Sequence, residues 1–288
     1  MSGWHIGIIG GSGLYDVAGI EDGQWVEVDS PWGEPSDAIF TGRLGHVRVS
    51  FLPRHGRGHR ISPSELNARA NIDCLKRLGV TDVLSVSSVG GLQEERAPGT
   101  FTIVDQFIDR TKGRPSSFFG SGMVAHVSMA DPVCPRLSSL AGDAAEAAGA
   151  TVHRRGTCLV MEGPQFSTRA ESHLYRSWGC DVIGMTAMPE AKLAREAELP
   201  FAMVAMVTDY DCWREEEAAV DVAQVIAQLG ANATKARAMV LNLLRALPPE
   251  RDASPIDTCL DTALITAPSA RDPEVLARLD AVAGRVLG

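Results

Sequence analysis

Short apolar segments alternate with amphipathic segments along most of this chain. Apolar runs of strand length occur at 6–9, 47–52, 80–86, 101–104, 181–185 and 201–208, and 151–161 has the composition of an extended segment. Stripes of apolar residues at helical spacing predict helices over 62–78, 137–148, 168–178, 189–199 and 221–246. This alternation predicts an α/β fold in which helices flank a mixed central β-sheet.

Two of the predicted helices carry clear start signals. Ser62 and Glu65 have the spacing of a capping box, Pro63 would occupy the first helical position, and Gly79 follows the last apolar residue of the stripe. Thr168 and Glu171 repeat the capping pattern ahead of the third predicted helix. We therefore expect helices to begin at these two places.

The chain contains no linker long enough to divide it before about residue 247. We find no internal repeat and no low-complexity tract in this part, so 1–247 is predicted to form one domain. After it, the turn-rich stretch PPERDASP leads to a final predicted helix over 273–287. We expect 248–288 to pack on the same domain or on a neighbouring subunit.

Composition and charge narrow the classes of partner. The chain has 288 residues, of which 45% are hydrophobic and 22% charged, which is ordinary for a globular protein and excludes a disordered one. Its net charge of −9 argues against binding to a phosphate backbone or to an anionic membrane. Small molecules are therefore the expected ligands.

The compartment and the thiols give two further expectations. The first residues lack the basic region of a signal peptide, and the most apolar run, 200–208, is under half the length of a membrane-spanning helix, so we expect a cytoplasmic protein. The six cysteines lie far apart and without histidines at zinc-site spacing. We expect neither a disulfide framework nor a metal site.

Three segments that follow predicted strands carry the chemistry of an anion site. Residues 10–13 (GGSG), 54–59 (RHGRGH) and 87–91 (SSVGG) combine hydroxyls, cations and glycines that let backbone N–H groups approach a ligand. Each segment alone is a weak signal, because a glycine turn also serves close packing of a strand against a helix. No motif for a nucleoside triphosphate, a dinucleotide or a serine hydrolase is present. The combination favours free phosphate.

The second of these segments also has a spacing seen in metal sites. His55 and His59 are four residues apart, but Gly56 and Gly58 make a helix there improbable, so zinc is not favoured. Two histidines on a surface loop would be the ordinary interpretation. The flanking arginines, Arg54 and Arg57, favour an anion site instead.

A pair of aspartates follows the most apolar predicted strand. Asp209 and Asp211 are two residues apart, so in an extended segment both side chains would face the same way. Like charges at short distance raise the pKa of one group, which suits a general acid. Two alternatives stay open from the residues alone: solvated aspartates that cap the next segment, or a carboxylate pair for a metal.

Seven motifs, in order along the chain, match one known family. They are IIGGSGL (8–14), PRHGRGH (53–59), NARAN (67–71), DQFIDR (105–110), MEGPQFSTRAE (161–171), GMTAMPE (184–190) and TDYDCW (208–213). Together they resemble the methylthioadenosine phosphorylases, within the trimeric purine nucleoside phosphorylase family. The match runs from about residue 6 to about residue 247. Ser12 and Ser87 stand where the animal enzymes usually have threonine, which keeps the hydroxyl.

The resemblance implies a nucleoside phosphorylase fold, a homotrimer and the phosphorolysis of 5′-deoxy-5′-methylthioadenosine in purine and methionine salvage, with no cofactor or metal beyond the co-substrate phosphate. It also implies roles for individual residues. The implied phosphate ligands are Ser12, Arg54, His55, Ser87, Ser88 and Thr186. The implied substrate contacts are Phe166, Ser167, Met185, His59, Val222 and Ile226, with His126 reaching in from a neighbouring subunit.

The resemblance further implies that the two aspartates recognise adenine. Asp209 would protonate N7 of the leaving base, and Asp211 would accept a hydrogen bond from the 6-amino group. An ionised Asp211 would oppose the carbonyl of a 6-oxopurine, which argues against an enzyme for 6-oxopurine nucleosides or methylthioinosine. A second alternative is a nucleoside-binding protein of the same fold without activity, and the retained aspartates and phosphate ligands argue against it.

Overall fold

A branched, mixed β-sheet lies at the centre of the computed structural model. The structure describes residues 3–11, 14, 17–214 and 222–287, with side chains in the last range from residue 228 onward. Within these ranges the strands are β1 His5–Gly10, β2 Glu21–Val26, β3 Ile39–Leu44, β4 Val47–Pro53, β5 Asp82–Gly91, β6 Phe101–Val104, β7 Gln106–Asp109, β8 Val152–His153, β9 Thr157–Val160, β10 Val182–Gly184 and β11 Phe201–Asp209. The helices are α1 Ala68–Arg77, α2 Pro135–Ala147, α3 Arg169–Ser177, α4 Ala187–Glu196, α5 Val222–Ala246, α6 Pro273–Arg278 and α7 Asp280–Leu287.

The order of the strands confirms the predicted mixed sheet. Along the main path it is β2-β3-β4-β1-β5-β10-β9-β7, while β11 pairs with β5 and β6, and β6 pairs with β8. Strand β5 is parallel to β1 and β11 but antiparallel to β10. Since β5 has three neighbours, the sheet branches at this strand.

Alternation along the central strands produces an apolar layer on each face of the sheet. In β11, Met203 and Ala205 belong to one buried cluster, whereas Ala202 and Val204 belong to the other. The first cluster includes residues of α1, α4 and α7, and the second includes residues of α2 and α5. Helices therefore cover both faces, as the α/β pattern predicts.

The two predicted helix starts have different outcomes. Thr168 caps α3 with the expected capping box, in which its side chain accepts from the Glu171 N–H and the Glu171 side chain accepts in return. Pro63–Glu65 forms only a short 3-10 turn, because Leu66 leaves the helical region with ψ 124°. Helix α1 instead begins at Ala68, where the Asn67 side chain accepts from the N–H of Ala70 at 3.2 Å.

The apolar pattern missed three strands and misjudged the last helix. Strand β2 lies at the edge of the sheet with most of its side chains exposed, so it has little apolar alternation. The strands β3 and β7 have mainly half-buried side chains and were missed for the same reason. The predicted helix 273–287 is two helices, α6 and α7, separated at Leu279.

The segment after residue 247 packs on the rest of the chain. Leu260, Leu279 and Val282 belong to the apolar cluster that α1 and α4 share. Arg251 forms a buried ion pair with Asp82, the first residue of β5, at 2.5 Å. The boundary at residue 247 between a domain and its C-terminal connector stays a prediction.

Two features are absent from the described residues. None of the helices there has both the length and the apolar character needed to cross a membrane. No group of three or more histidine, cysteine, aspartate or glutamate side chains in the described part of the chain is placed to hold a metal ion.

Candidate active site

One cavity of about 390 Å³ lies where several strands end. The carboxyl ends of the parallel strands β4, β5 and β11 meet at one edge of the sheet. Strands β9 and β10 run antiparallel to β5, and the residues at or just after their last positions also line the cavity. Ten of the residues predicted from the sequence line this cavity: Arg54, His55, His59, Ser87, Ser88, Phe166, Met185, Thr186, Asp209 and Asp211.

Strand β5 forms the floor that joins the two ends of the cavity. The glycines within 87–91 predicted a turn, and this was wrong: β5 runs through Gly91 because β11 pairs with it up to Gly90 and β10 pairs with Gly90 and Gly91. Ser87 is near one end, where its Oγ lies 3.4 Å from Thr186 Oγ1. At the other end a Cβ on Gly90 would lie only 3.1 Å from Asp209 Oδ1. The glycine therefore leaves room for the aspartate.

Arg54 is buried beneath the hydroxyl end of the cavity in a network of hydrogen bonds. Only 2% of its side chain is exposed, and it forms an ion pair with Glu190, Nε to Oε1, at 2.6 Å. Its Nη2 also donates to Oε2 of the same carboxylate at 3.1 Å and to Ser85 Oγ at 2.6 Å. Its Nη1 donates to the Val86 carbonyl at 3.0 Å, and the second N–H of Nη1 has no acceptor among the described residues. The network fixes the guanidinium in place.

The second cation expected at the anion site points elsewhere. Arg57 donates from Nη2 to Asp37 Oδ1 at 2.8 Å, and its guanidinium carbon lies 4.2 Å from the centre of the Trp25 ring. Arg57 is also not among the residues that line the cavity. The sequence-based interpretation of Arg57 as part of the anion site was therefore wrong, because a nearby carboxylate and an aromatic ring hold it.

The two histidines of the Arg54 loop stack on each other within the cavity wall. Their ring centres are 4.3 Å apart and nearly parallel. His55 Nδ1 lies 2.9 Å from the Ile61 carbonyl, and because a carbonyl only accepts, Nδ1 carries the proton and Nε2 is the acceptor of the neutral ring. Burial, with the charges of Arg54 and His59, lowers the pKa of His55 to about 4 despite the Ile61 hydrogen bond. The ring is thus neutral near pH 7.

The two aspartates face the cavity, but not by the geometry expected. Asp209 is the last residue of β11, whereas Asp211 has φ of 55° and belongs to a turn, so the two do not share one extended segment. The turn is held by the Asp211 N–H, which donates to Asp209 Oδ1 at 2.8 Å. Thr208 Oγ1 donates to Asp209 Oδ2 at 2.7 Å. Both Asp209 oxygens are therefore hydrogen-bond acceptors.

Asp211 has the opposite environment. Its Oδ2 is buried and has no hydrogen-bond partner among the described residues. Burial above all, with the charge of Asp209 in addition, raises the pKa of Asp211 above its ordinary value, although the nearby hydroxyls of Ser172 and Ser167 act to lower it. The sequence predicted Asp209 as the proton donor and an ionised Asp211, and the raised pKa of Asp211 means that these surroundings disfavour its ionised form.

The remaining lining residues come from the segments after β9 and β10. Met185 and the buried Thr186 follow β10, and Thr186 directly precedes α4. Phe166 follows β9 and lies at the rim with 53% of its surface exposed. Ser167 is next to the lining, where its Oγ donates to the sulfur of Met161 at 3.6 Å.

The other predicted residues lie outside the cavity or outside the description. His126 lines a separate pocket together with Lys192 and Glu196, and its expected contribution to a neighbouring subunit stays a prediction. Ser12 and the side chains of Val222 and Ile226 lie outside the described residues.

The residues that fix the cavity-lining side chains and loops by hydrogen bonds were not predicted from the sequence. Glu190 is the partner of Arg54 and lies inside one of the seven motifs, so its charge within an apolar helix start was an available signal. Ser85 lies inside a predicted strand, where nothing distinguished it. Arg114 donates hydrogen bonds to the segments after β9 and β10. It lies in a part of the sequence without a recognisable motif.

Comparison with known proteins identifies the family. A sequence model of the phosphorylase superfamily matches residues 5–245 of this chain. The chain belongs to the phosphorylase superfamily. The family predicted from the seven motifs is thereby confirmed, and the matched region contains every residue of the cavity.

Members of this superfamily that are similar to the chain match it over nearly its whole length. The S-methyl-5′-thioadenosine phosphorylase of Cereibacter sphaeroides is 63% identical over 98% of both chains. The protein of the same name from Bradyrhizobium diazoefficiens is 58% identical, again over 98% of both. A crystal structure of a methylthioadenosine phosphorylase from an antarctic soil metagenomic library superimposes with a TM-score of 0.92 and 47% identity, covering 98% of this chain and 99% of the other.

Proposed function

We propose that this chain is an enzyme that phosphorolyses S-methyl-5′-thioadenosine to adenine and 5-methylthioribose 1-phosphate. The observation that carries the proposal is the arrangement along β5, where Ser87 lies beside Thr186 and Gly90 lies beside Asp209 in one cavity. Three residues of strand separate these points by about 10 Å. Hydroxyls and a guanidinium at one end suit phosphate, and carboxylates at the other suit a purine. The names of the similar enzymes agree with this substrate.

Phosphate would bind at the hydroxyl end. Ser87, Ser88 and Thr186 supply hydroxyl groups, Arg54 supplies its remaining Nη1 hydrogen, and Ser12 is expected to join them. His55 Nε2, as an acceptor, would take a hydrogen bond from a protonated phosphate oxygen. Because Glu190 fixes Arg54, the guanidinium needs no rearrangement when phosphate enters.

Adenine would bind at the carboxylate end. Because Asp209 and Asp211 interact, the proton belongs to the pair rather than to one of them. The pair then offers one donor, which N7 of adenine can accept, and oxygens that accept from the 6-amino group. We keep Asp209 as the group opposite N7 and Asp211 opposite the amine, with the proton passing within the pair as the base binds. Phe166 and Ser167 would contact the base.

The reaction itself is a displacement at C1′ of the sugar. A phosphate oxygen forms the new bond to C1′, the bond from C1′ to N9 breaks, and its electron pair moves into adenine while the aspartate pair supplies a proton to N7. Positive charge develops on the ribosyl group as the bond breaks, and the bound phosphate anion stabilises it. Met185 would lie beneath the ribose. No cofactor or metal is required, since phosphate is the second substrate.

The aspartates also account for the choice between bases. A 6-oxopurine presents a carbonyl where adenine presents an amine, so a carboxylate oxygen would face another acceptor. Asp209 and Asp211 therefore disfavour inosine and methylthioinosine. The opposite end of the nucleoside, the methylthio group, would lie against His59, Val222 and Ile226, with His126 supplied by a second subunit of a homotrimer. We place the enzyme in the cytoplasm, in purine and methionine salvage.

The test is a comparison of substrates with and without phosphate. Adenine release from methylthioadenosine should require phosphate, and inosine and methylthioinosine should react orders of magnitude more slowly. Faster cleavage of a 6-oxopurine nucleoside would reject the role of the aspartates. Binding of methylthioadenosine without any cleavage would make the chain a binding protein rather than an enzyme.

A further inference from the structure

Arg114 lies behind the cavity and contacts the two segments that form one of its walls. It belongs to the stretch between β7 and α2, and only 6% of its side chain is exposed. From Nη1 it donates to the carbonyls of Met185 at 2.7 Å and Met188 at 3.0 Å. From Nη2 it donates to the carbonyl of Glu162 at 2.5 Å. One guanidinium therefore joins two separate loops.

A charged partner holds the guanidinium in this position. Arg114 Nε lies 3.1 Å from Glu162 Oε2, and the backbone N–H of Lys112 donates to the same oxygen at 2.7 Å. Although burial acts to raise it, the hydrogen bonds from Lys112 and Arg114 keep the pKa of Glu162 below its ordinary value. Glu162 therefore stays ionised, and it binds Arg114 through both its side chain and its main chain.

The two loops diverge from adjacent strands and carry lining residues. Strands β9 and β10 are parallel neighbours, paired as far as Val160 and Gly184. The loop after β9 carries Met161 and Phe166, and the loop after β10 carries Met185 and Thr186, all of which line the cavity. One further backbone hydrogen bond, from the Met161 N–H to the Gly184 carbonyl at 2.9 Å, continues the pairing. Beyond it, Arg114 joins the two loops through the carbonyls of Glu162 and Met185.

The two loops are closely packed against each other at Gly163. A Cβ on Gly163 would lie 2.6 Å from the sulfur of Met185, so the two loops are already close-packed at that point. Gly163 has φ of 72°, which a residue with a side chain rarely adopts. A shift of either loop would therefore move Met185 relative to Phe166.

We propose that Arg114 is a positioning residue that sets the spacing between these two loops and so places Met185 and Phe166 on the nucleoside. It does not itself line the cavity. The inference rests on the proposed function for its kinetic consequence, but not for its structural one. An arginine is needed because its planar fork reaches three carbonyls and a carboxylate at once, whereas a lysine amine is a single point charge.

The test compares Arg114 with a matched arginine far from the cavity. Arg251 is buried to the same degree, with 7% of its side chain exposed, and likewise binds carboxylates, Asp82 and Asp257, and a carbonyl, that of Thr81. It lies at the first residue of β5, the end opposite the cavity. We would make Arg114→Lys, Arg114→Ala, Arg251→Lys and Arg251→Ala in the full chain.

Two measurements are made on each variant. Hydrogen exchange of backbone amides should accelerate in 161–168 and 185–189 for the Arg114 variants only. Phosphorolysis of methylthioadenosine by Arg114→Ala should lose about 100-fold in kcat/KM, as expected for a small misplacement of substrate, and added guanidinium should restore part of it. Arg251→Ala should keep its kcat/KM and gain nothing from guanidinium.

The outcomes separate the two proposals. If the wild-type chain does not cleave methylthioadenosine, the proposed function fails, while the exchange measurement still tests the role of Arg114. Unchanged exchange in both loops of Arg114→Lys would overturn the positioning role. Equal losses of kcat/KM in the Arg114 and Arg251 variants would overturn it too, since they would indicate a general loss of stability. If Arg114→Ala does not fold, Arg114→Lys and Glu162→Gln carry the same test.

Discussion

The two ends of the cavity differ in how the charges of their side chains are balanced. At the hydroxyl end, the charge of Arg54 is matched by Glu190, and Ser85 donates to the same carboxylate at 3.0 Å. At the carboxylate end, Asp211 has a buried oxygen without a partner among the described residues, and a neighbour of the same charge. The first end is balanced in charge and fixed by hydrogen bonds, whereas at the second end burial disfavours the ionised form of Asp211.

This difference indicates which end of the cavity binds phosphate and which end transfers a proton to the leaving base. A fixed, charge-balanced group binds a ligand without changing its own protonation, which suits a phosphate that must be held still. A pair of like charges exchanges a proton easily, which suits a leaving group that needs one. Replacing residues at one end at a time tests this division.

Replacing Asp209 should impair proton transfer at the carboxylate end of the cavity. Asp209→Asn removes the carboxylate opposite N7 and the charge that adds to burial in raising the pKa of Asp211. We therefore expect kcat/KM for methylthioadenosine to fall by about 10²–10⁴ and the ratio of inosine to methylthioadenosine turnover to rise. Steady-state kinetics on both nucleosides measures this. Asp143→Asn, at an exposed aspartate, is the control. Wild-type activity in Asp209→Asn would refute the assignment.

Replacing Glu190 should break the fixed end. Glu190→Gln keeps the shape but leaves the buried Arg54 charge without a counterion, so the free energy of unfolding should fall by roughly 3–5 kcal/mol. Urea unfolding measures it, and the KM for phosphate should rise as well. The matched control is Glu21→Gln, which removes an exposed partner of Arg43 and should cost about 1 kcal/mol or less. Equal, small effects in both variants would show that Glu190 does not fix Arg54.

The neutral His55 should show itself in the dependence of stability on pH. Its pKa is about 4 in the folded chain and near 6.5 when unfolded, so the unfolded chain binds the proton first as the pH falls. The free energy of unfolding should therefore decrease between about pH 6.5 and pH 4, and His55→Gln should decrease less over the same range. Urea unfolding of both proteins at pH 7 and pH 5 tests this. An equal decrease in the two would contradict a buried neutral ring.

Replacing Arg57 should have the smallest effect on the binding of phosphate. Because it binds Asp37 and Trp25 instead of the cavity, Arg57→Ala should leave the KM for phosphate nearly unchanged. The comparison is Arg54→Lys under the same conditions, for which the KM for phosphate should rise strongly. A rise in Arg57→Ala as large as in Arg54→Lys would return Arg57 to the anion site.

Local patterns in the sequence were sufficient for much of the fold. The strand 201–208 and the capping box at Thr168 depend on neighbours along the chain, and the structure places both within one or two residues of the prediction. Ser87 was assigned to a turn because glycines follow it, although pairing with β11 keeps this segment extended. Strand pairing between distant segments decided that outcome, and a single sequence does not display it.

Site residues could be predicted where one short motif contains the reactive groups. They could not be predicted where the interacting residues lie far apart in the sequence. Asp209 and Asp211 could be found because two carboxylates follow an apolar strand. The geometry of their turn could not, because it depends on the positive φ of Asp211. Arg54 was found, but its partner Glu190 is 136 residues away in sequence, so only the fold brings them together.

The most direct test of the central claim is to follow phosphate itself during the reaction. Phosphorus NMR of the wild-type chain with methylthioadenosine and inorganic phosphate would record both the loss of phosphate and the gain of a sugar phosphate. The division between a phosphate end and a base end predicts one sugar phosphate formed for each adenine released. Adenine release with an unchanged phosphate signal would mean hydrolysis by water, and would contradict the account.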